Sequence, residues 1–315
     1  MELKRVEFHH TSVLLQESIT ALITDKSGIY VDCTLGGAGH SGAIADFLNN
    51  QGHLVSIDQD LSAIGAGRER LAQASCKVTI VHDNFRNIGS ILDSLGLEKV
   101  NGVLFDLGVS SHQLDTVDRG FSYMHDANLD MRMDSRQELS AFQIVNQYSQ
   151  ERLEKVIREY GEERWAKRIS QFIIKARLNK PIETTGQLVE VIKQAIPAAA
   201  RREGPHPAKR TFQALRIEVN DELAILAAAF ETAAKRLRTG GRICIITFHS
   251  LEDRIAKQTL LKLSKSCICP PQLPVCICHT EPVVKNIGKP LQPSEEEVKN
   301  NPRARSAKLR IAERV

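Results

Sequence analysis

Long hydrophobic runs are missing from this 315-residue chain. No stretch approaches the ~20 consecutive apolar residues that a membrane-spanning helix needs. The start, MELKRVEFHHTSVLL, lacks the long apolar core of an export signal, and its early charges are mixed in sign. Charge imbalance is small as well: 42 Lys and Arg against 38 Asp and Glu leave a formal net charge of +4. No overall basic field announces a nucleic-acid partner, so local clusters must carry such a reading. Internal repeats and low-complexity tracts are absent, which sets aside solenoids and disordered arrays. These absences lead to the expectation of a cytoplasmic protein without a membrane segment, in a compartment where thiols stay reduced. Of the seven cysteines, Cys33, Cys76 and Cys244 sit in apolar, strand-like runs and read as small buried hydrophobes, whereas four crowd into residues 267–278.

What is present is a rhythm. GIYVDCT (28–34), HLVSID (53–58), residues 77–81 and residues 100–106 read as buried strands. Helical periodicity fills the gaps, near 41–48, 61–72 and 88–95. Continuous apolar strands separated by helices predict a parallel sheet covered on both faces. From about 114 to 216 no strand is legible, only helical segments near 151–160, 164–177 and 185–196 with punctuating prolines. A long helix over about 210–238 is predicted to lead into the strand TGGRICIITF (239–248), a helix over 251–264, an irregular Cys/Pro loop and a last strand at 306–314. The simplest reading is one α/β domain interrupted by a helical insertion that begins where the fourth strand ends, beside the place where such sheets bind ligands.

The chemistry concentrates in VDCTLGGAGHS (31–41). A strand ending in Asp32, a glycine-rich turn and a helix start let the backbone approach a ligand closely and present unpaired N–H groups. Asp58, about 20 residues beyond the loop, stands where an acid meets ribose hydroxyls in dinucleotide sites. Asp106 ends the fourth strand. The three acids share the carboxyl edge of one sheet. Both NAD and S-adenosylmethionine carry an adenosine, but the loop lacks the G-x-G-x-x-G spacing of a dinucleotide site, and an acid at 32 or 106 suits a sulfonium and an ammonium better than a pyrophosphate.

HHTSVLLQE (9–17), DCTLGGAGHS, DLGVSSHQLD (106–115), RGFSY (119–123), LDMRMD (129–134), YGEERWAKRI (160–169), RTFQALRIEVN (210–220), ITFHSLEDR (246–254) and NPRARSAKLRIAER (301–314) follow one another along the chain. Together they resemble the bacterial RsmH family, formerly MraW, S-adenosylmethionine-dependent methyltransferases acting on a cytidine N4 of 16S ribosomal RNA in the decoding centre. The resemblance implies a class I methyltransferase (Rossmann-like) fold, a twisted, mostly parallel sheet with an inserted all-helical domain. The cofactor-binding domain would comprise 1–113 and 217–315, and the substrate-recognition insertion 114–216. By motif, Ala38, Gly39, His40, Asp58, Phe85, Asp106 and Gln113 correspond to the family's cofactor contacts. Here the loop reads GGAGH where other members often have GRGGH. The implied partner is 16S rRNA or the small ribosomal subunit.

Transfer to an exocyclic amine needs an acceptor that helps the nitrogen pyramidalise. Residues 106–111 lack the Asp/Asn-Pro-Pro-Tyr motif of many amino-methyltransferases, which leaves Asp106, with backbone carbonyls near Gly108, as the candidate acceptor. Ser110 and Ser111 read better as turn or helix caps. Phe121 and Tyr123 are either stacking partners for a flipped base or anchors of the insertion's core. His249 falls after the strand at 239–248 and reads as a hydrogen-bonded structural residue or an acid/base. For RNA phosphates the candidates are Arg201 and Arg202, Lys209 and Arg210 with Arg216, and Arg303 and Arg305 with Lys308 and Arg310. Cys267, Cys269, Cys276 and Cys278, with His279 in reserve, read either as a structural zinc site or as unmetallated thiols. Two other functions stay open: an RNA-binding assembly factor that keeps the cofactor fold without catalysis, and an NAD-dependent oxidoreductase.

Overall fold

The computed structural model describes residues 12–315 apart from 203, 268, 270–276 and 279. The chain divides into two compact units, one made of residues 1–108 and 225–315, the other of 109–224.

The first unit is built on a seven-stranded sheet of order β3-β2-β1-β4-β5-β7-β6, with β1 Ile29–Asp32, β2 His53–Asp58, β3 Lys77–His82, β4 Val100–Asp106, β5 Leu237–Thr247, β6 Val284–Asn286 and β7 Lys308–Arg314. The first five run parallel, while β7 lies antiparallel between β5 and β6. The parallel run is the one the strand rhythm predicts, and the whole sheet has the class I methyltransferase fold that the resemblance implies. Alternate residues of the central strands feed opposite faces, because side chains change sides at every step. Leu104, Tyr30, Leu54 and Ile246 join one core with the helices Leu15–Leu22 and Gly39–Phe47. Phe105 turns the other way, edge-on to Phe230 at 5.0 Å and to Phe85 at 5.5 Å. Cys33, Cys76 and Cys244 are buried, and burial pushes the Cys244 thiol up to about 12, so it packs as an apolar residue.

The second unit is helical, with longer helices at Gln150–Gly161, Ala166–Asn179, Thr185–Ala195 and Lys209–Asn220 around a core that contains Phe121, Leu153, Ile169, Leu188 and Phe212. Side-chain caps fix three of its helix starts: Ser110, Ser149 and Thr184 each accept an N–H of the first turn. The single helix predicted over 210–238 is instead two, Lys209–Asn220 and Leu226–Arg236. Asp221 takes a left-handed conformation (φ 52°) and ends the first. Asn220 fastens that end, donating to Met131 and Arg216 carbonyls and accepting from the Met133 N–H, and the Arg216–Glu222 ion pair spans the break. The Asn-Asp pair is the local signal, since these residues tolerate left-handed backbone best after glycine. The periodicity also passes over the helices Leu15–Leu22 and Glu295–Asn300 and the three-residue β6.

Gly120 (φ 69°) is a position where glycine is obligatory, because an added Cβ would stand 2.2 Å from the Asn128 carbonyl oxygen. Gly96 has nearly the same backbone (φ 68°) with nothing within 4 Å of its notional Cβ. Gly96→Ala should therefore cost only the left-handed penalty, about 1–2 kcal/mol. Gly120→Ala should cost that and a backbone displacement, about 3 kcal/mol or more, each cost being read as the shift of the urea transition of the unit that holds the residue, the sheet unit for Gly96 and the helical unit for Gly120. Equal costs at the two positions would contradict this placement.

Candidate cofactor and active site

The carboxyl edge of the parallel strands is organised by a buried carboxylate. Asp32, at the end of β1, has no exposed surface. It accepts hydrogen bonds from Thr34 N–H (3.0 Å), Thr34 Oγ1 (3.3 Å) and Ser41 Oγ (2.6 Å), and Ser41 Oγ lies 2.8 Å from Ser56 Oγ of β2. Thr34 Oγ1 in turn accepts the Asp106 N–H at 2.8 Å. One side chain thereby ties the ends of β1, β2 and β4 to the helix Gly39–Phe47. Burial raises the Asp32 pKa against these hydrogen bonds. Of the two acids considered for a cationic ligand, Asp32 is therefore enclosed and structural, while Asp106 retains some exposure.

The turn takes its shape from two left-handed residues, Gly36 (φ 48°) and Ala38 (φ 57°). Asp58 holds it, its Oδ2 accepting the Gly36 N–H (2.8 Å) and its Oδ1 the Asp60 N–H (2.9 Å). Burial pushes the Asp58 carboxyl up to about 6 despite these two donors. The helix that follows begins at Gly39 with Ala38 as its N-cap, so the N–H groups of Gly39 and His40 have no acceptor inside the helix. Gly39 allows a close approach, as a Cβ there would overlap Ser12 Oγ at 1.9 Å.

His40, 4% exposed, places Nδ1 3.3 Å from Asp106 Oδ2. Burial opposes its protonation, but the charge and hydrogen bond of Asp106, with help from Asp32, outweigh burial and raise its pKa above the ordinary value. The other oxygen, Asp106 Oδ1, is buried without a hydrogen-bond partner among the described residues. A buried orphaned carboxylate oxygen costs free energy unless something donates to it. Next to β4, Gly108 (φ 93°) leaves room for the Phe248 ring, 3.6 Å from its notional Cβ. After β5, the carboxylate of Glu252, 2% exposed, accepts the Phe248 N–H at 2.8 Å and lies 3.1 Å from His249 Nε2. His249 is in this way the capping residue of the helix Ser250–Leu263. Phe85 is half-buried beside β3.

These groups fit S-adenosylmethionine: a buried acid under the glycine turn, open backbone donors, a half-buried aromatic ring and, among the described residues, a carboxylate oxygen without a partner at one sheet edge. Thr34, Ser41, Ser56 and Glu252 escape a sequence reading of the ligand contacts, because they act on other protein groups. Ser56, a polar residue inside the apolar run HLVSID, was the available signal.

Other candidates are placed as follows. Gln113 belongs to the helical unit, where its Oε1 accepts the Ser110 N–H (3.0 Å) and Ser110 Oγ caps the Gln113 N–H; Ser110 is a cap. Phe121 is 6% exposed in that unit's core, and Tyr123 stacks on His206 at 4.6 Å, which makes both rings anchors of the core rather than open stacking platforms. Arg201 donates to the Ile196 carbonyl and Arg210 to the Glu162 carbonyl; Arg202, Lys209, Arg303 and Arg305 are exposed. Arg216 is committed to Glu222, and Lys308 and Arg310 to Asp253. The thiol sulfurs of Cys267, Cys269 and Cys278 lie within 4.8 Å of one another, whereas Cys276 and His279 fall outside the described residues.

Residues 7–315 match the model of the MraW methylase family. A ribosomal RNA small subunit methyltransferase H from Clostridioides difficile is 57% identical over 98% of this chain and 100% of its own length. Its counterpart from Symbiobacterium thermophilum is 56% identical over 96% of each. Among solved structures, an rRNA methylase from Streptococcus thermophilus aligns with a TM-score of 0.41 at 12% identity, over 95% of this chain and 93% of that one. The chain belongs to the MraW methylase family.

Proposed function

We propose that this protein transfers the methyl group of S-adenosylmethionine to N4 of a cytidine in the decoding centre of 16S rRNA. The observation that carries the reading is Asp106: its Oδ2 is held by His40, and its Oδ1 is buried and unsatisfied at the end of β4. Support also comes from the relatives, which are named as small-subunit rRNA methyltransferases.

The bound cofactor supplies an electrophilic methyl group on its sulfonium. Gly39 and His40 would offer backbone donors beside Ala38, whose own N–H is taken by the Leu35 carbonyl; Asp58 would take the ribose hydroxyls, Phe85 flank the adenine, and Gln113 complete the contacts. Asp106 Oδ1 accepts a hydrogen bond from the target amine and so localises the nitrogen lone pair for in-line attack. That nitrogen would receive the methyl group from the cofactor, and the extra proton of the methylated amine would leave to solvent. Residues 114–216 present the RNA, with Arg201, Arg202, Lys209, Arg210, Arg303 and Arg305 contacting phosphates.

Labelled methyl should pass to the RNA of small ribosomal subunits and be recovered as N4-methylcytidine. Label in protein or on another base overturns the reading, and cofactor binding without transfer supports a non-catalytic assembly factor. Asp106→Ala should lower kcat about 100-fold.

The ribose role of Asp58 gives a pH signature. Its folded-state pKa of about 6 exceeds the ordinary 3.8, so the folded protein holds the extra proton between these values and loses stability as pH rises across them. Cofactor binding uses the ionised form. Affinity should therefore strengthen as pH rises through about 6 and level off above. Asp58→Asn should flatten both profiles and weaken binding about 10- to 100-fold. A calorimetric titration series across pH 5–8 that shows no such step would remove Asp58 from the ribose.

We further propose that the cysteine cluster holds a structural zinc ion. Zn–S bonds of 2.3 Å put tetrahedral sulfurs about 3.8 Å apart, and Cys267 Sγ lies 3.9 Å from Cys278 Sγ while also accepting the Cys269 N–H. Cys276 would supply the fourth thiolate. Protein purified under reducing conditions should carry about one zinc per chain, lost in Cys267→Ser/Cys278→Ser with a lower Tm; metal-free protein of unchanged stability refutes the site.

A further inference from the structure

Outside the cofactor site, the helical unit carries a shallow cleft of about 440 Å³ lined by Arg164, Trp165, Lys167, Arg168, Gln171 and Phe172. These residues come from the first turns of the helix Ala166–Asn179 and the two residues before it. Trp165 and Phe172 are half-buried and packed against the unit's core, so their ring positions are fixed. Arg164 and Arg168 lie over them, the guanidinium carbons 5.4 Å from the centroids of Trp165 and Phe172 respectively. Arg164, Lys167 and Arg168 are exposed. Among the described residues none of the three pairs with a carboxylate, in a unit where Arg132, Arg136, Arg152, Arg158 and Arg216 all do. The lining therefore combines three uncompensated cations, no acid and two anchored aromatic rings.

We propose that this cleft is a binding subsite for single-stranded RNA, taking an unstacked base against the arginine–aromatic pairs and the adjoining phosphates on Arg164, Lys167 and Arg168. It rests on the reading of the chain as an RNA methyltransferase and adds a contact surface next to Arg210, which donates to the Glu162 carbonyl just before Arg164. Two features select this ligand. An acidic peptide would answer the charge but leave the rings unused, whereas an unpaired nucleotide brings a phosphate and a π face at the spacing of one residue. Rings held on a core and flanked by arginines form the platform on which single strands stack with little regard to sequence. A duplex, with its bases stacked internally, offers only its phosphates.

Trp165 is the only tryptophan in the chain, so tryptophan emission, excited selectively over the four tyrosines, reports on this cleft alone. A ten-nucleotide oligocytidylate should quench the emission of the full-length protein in a saturable, salt-dependent titration, while inorganic phosphate and polyglutamate should not. In Arg164→Gln/Lys167→Gln/Arg168→Gln the oligonucleotide affinity should fall at least tenfold, and the slope of log K against log salt should shrink by about 2, given ~0.7 per phosphate contact on a single strand. Cofactor affinity, Tm and kcat at saturating subunits should stay unchanged, while KM for subunits rises. Arg164→Lys/Arg168→Lys should keep the salt slope and lose affinity, since charge is retained and planar stacking is not. The proposal is overturned if the oligonucleotide leaves wild-type Trp165 emission unchanged, if polyglutamate quenches equally, or if the triple-Gln variant binds with the same affinity and slope. Methyl transfer to subunits by the wild-type protein separates these outcomes from failure of the methyltransferase reading, which would abolish transfer whatever the cleft binds.

Discussion

The fully buried carboxylate of Asp32 sets the geometry on which the candidate active site depends. An isolated charge in that position would be driven to neutralise; here three hydrogen bonds from Thr34 and Ser41 oppose the desolvation that raises its pKa. The same donors reach onward, Ser41 to Ser56 and Thr34 to the Asp106 N–H. The ends of three strands and the start of one helix thereby share a single anchor. A displacement of Asp32 would pass at once to the glycine turn and to Asp106.

On that anchor two further acids are differentiated by their surroundings. Asp58 has two backbone donors and a pKa of about 6. Asp106 has a histidine on one oxygen and, among the described residues, nothing on the other. Three aspartates on one sheet edge are thus held in three ways: Asp32 fixes the backbone, Asp58 shapes the turn, and Asp106 keeps an acceptor oxygen without a partner among the described residues. The second unit uses neutral side chains instead: buried Asn220 bonds the Met131 and Arg216 carbonyls and the Met133 N–H, and buried Thr185 bonds the Ala127 N–H and the His125 carbonyl.

How much of this was legible follows from range. The strands, the turn and the acids at strand ends are written locally, in runs such as HLVSID and DCTLGGAGHS, and they specify the sheet and the candidate ligand contacts. The division of residues 210–238 into two helices was written locally too, in Asn220-Asp221, but a continuous apolar period masked it. Other features depend on partners distant in sequence. That Arg216, Lys308 and Arg310 are occupied by Glu222 and Asp253 could not be read from basic clusters alone, and neither could the stacking of Tyr123 on His206. The helix Leu15–Leu22 is passed over because its eight residues are too short to hold alone in water, and packing against the sheet core stabilises it.

The antiparallel position of β7 has a consequence for how the chain acquires its shape. The strand next to β5 is made of residues 308–314, at the far end of the sequence, and Asp253 is paired only once Lys308 and Arg310 have joined it. During synthesis the helical unit, complete by residue 224, has every partner it needs while the sheet is still missing β5, β6 and β7. Vectorial synthesis therefore favours completion of the interrupting unit before that of the unit it interrupts. The first four strands have to wait, with the hydrogen-bonding edge of β4 bare, until the second half of their own sheet leaves the ribosome.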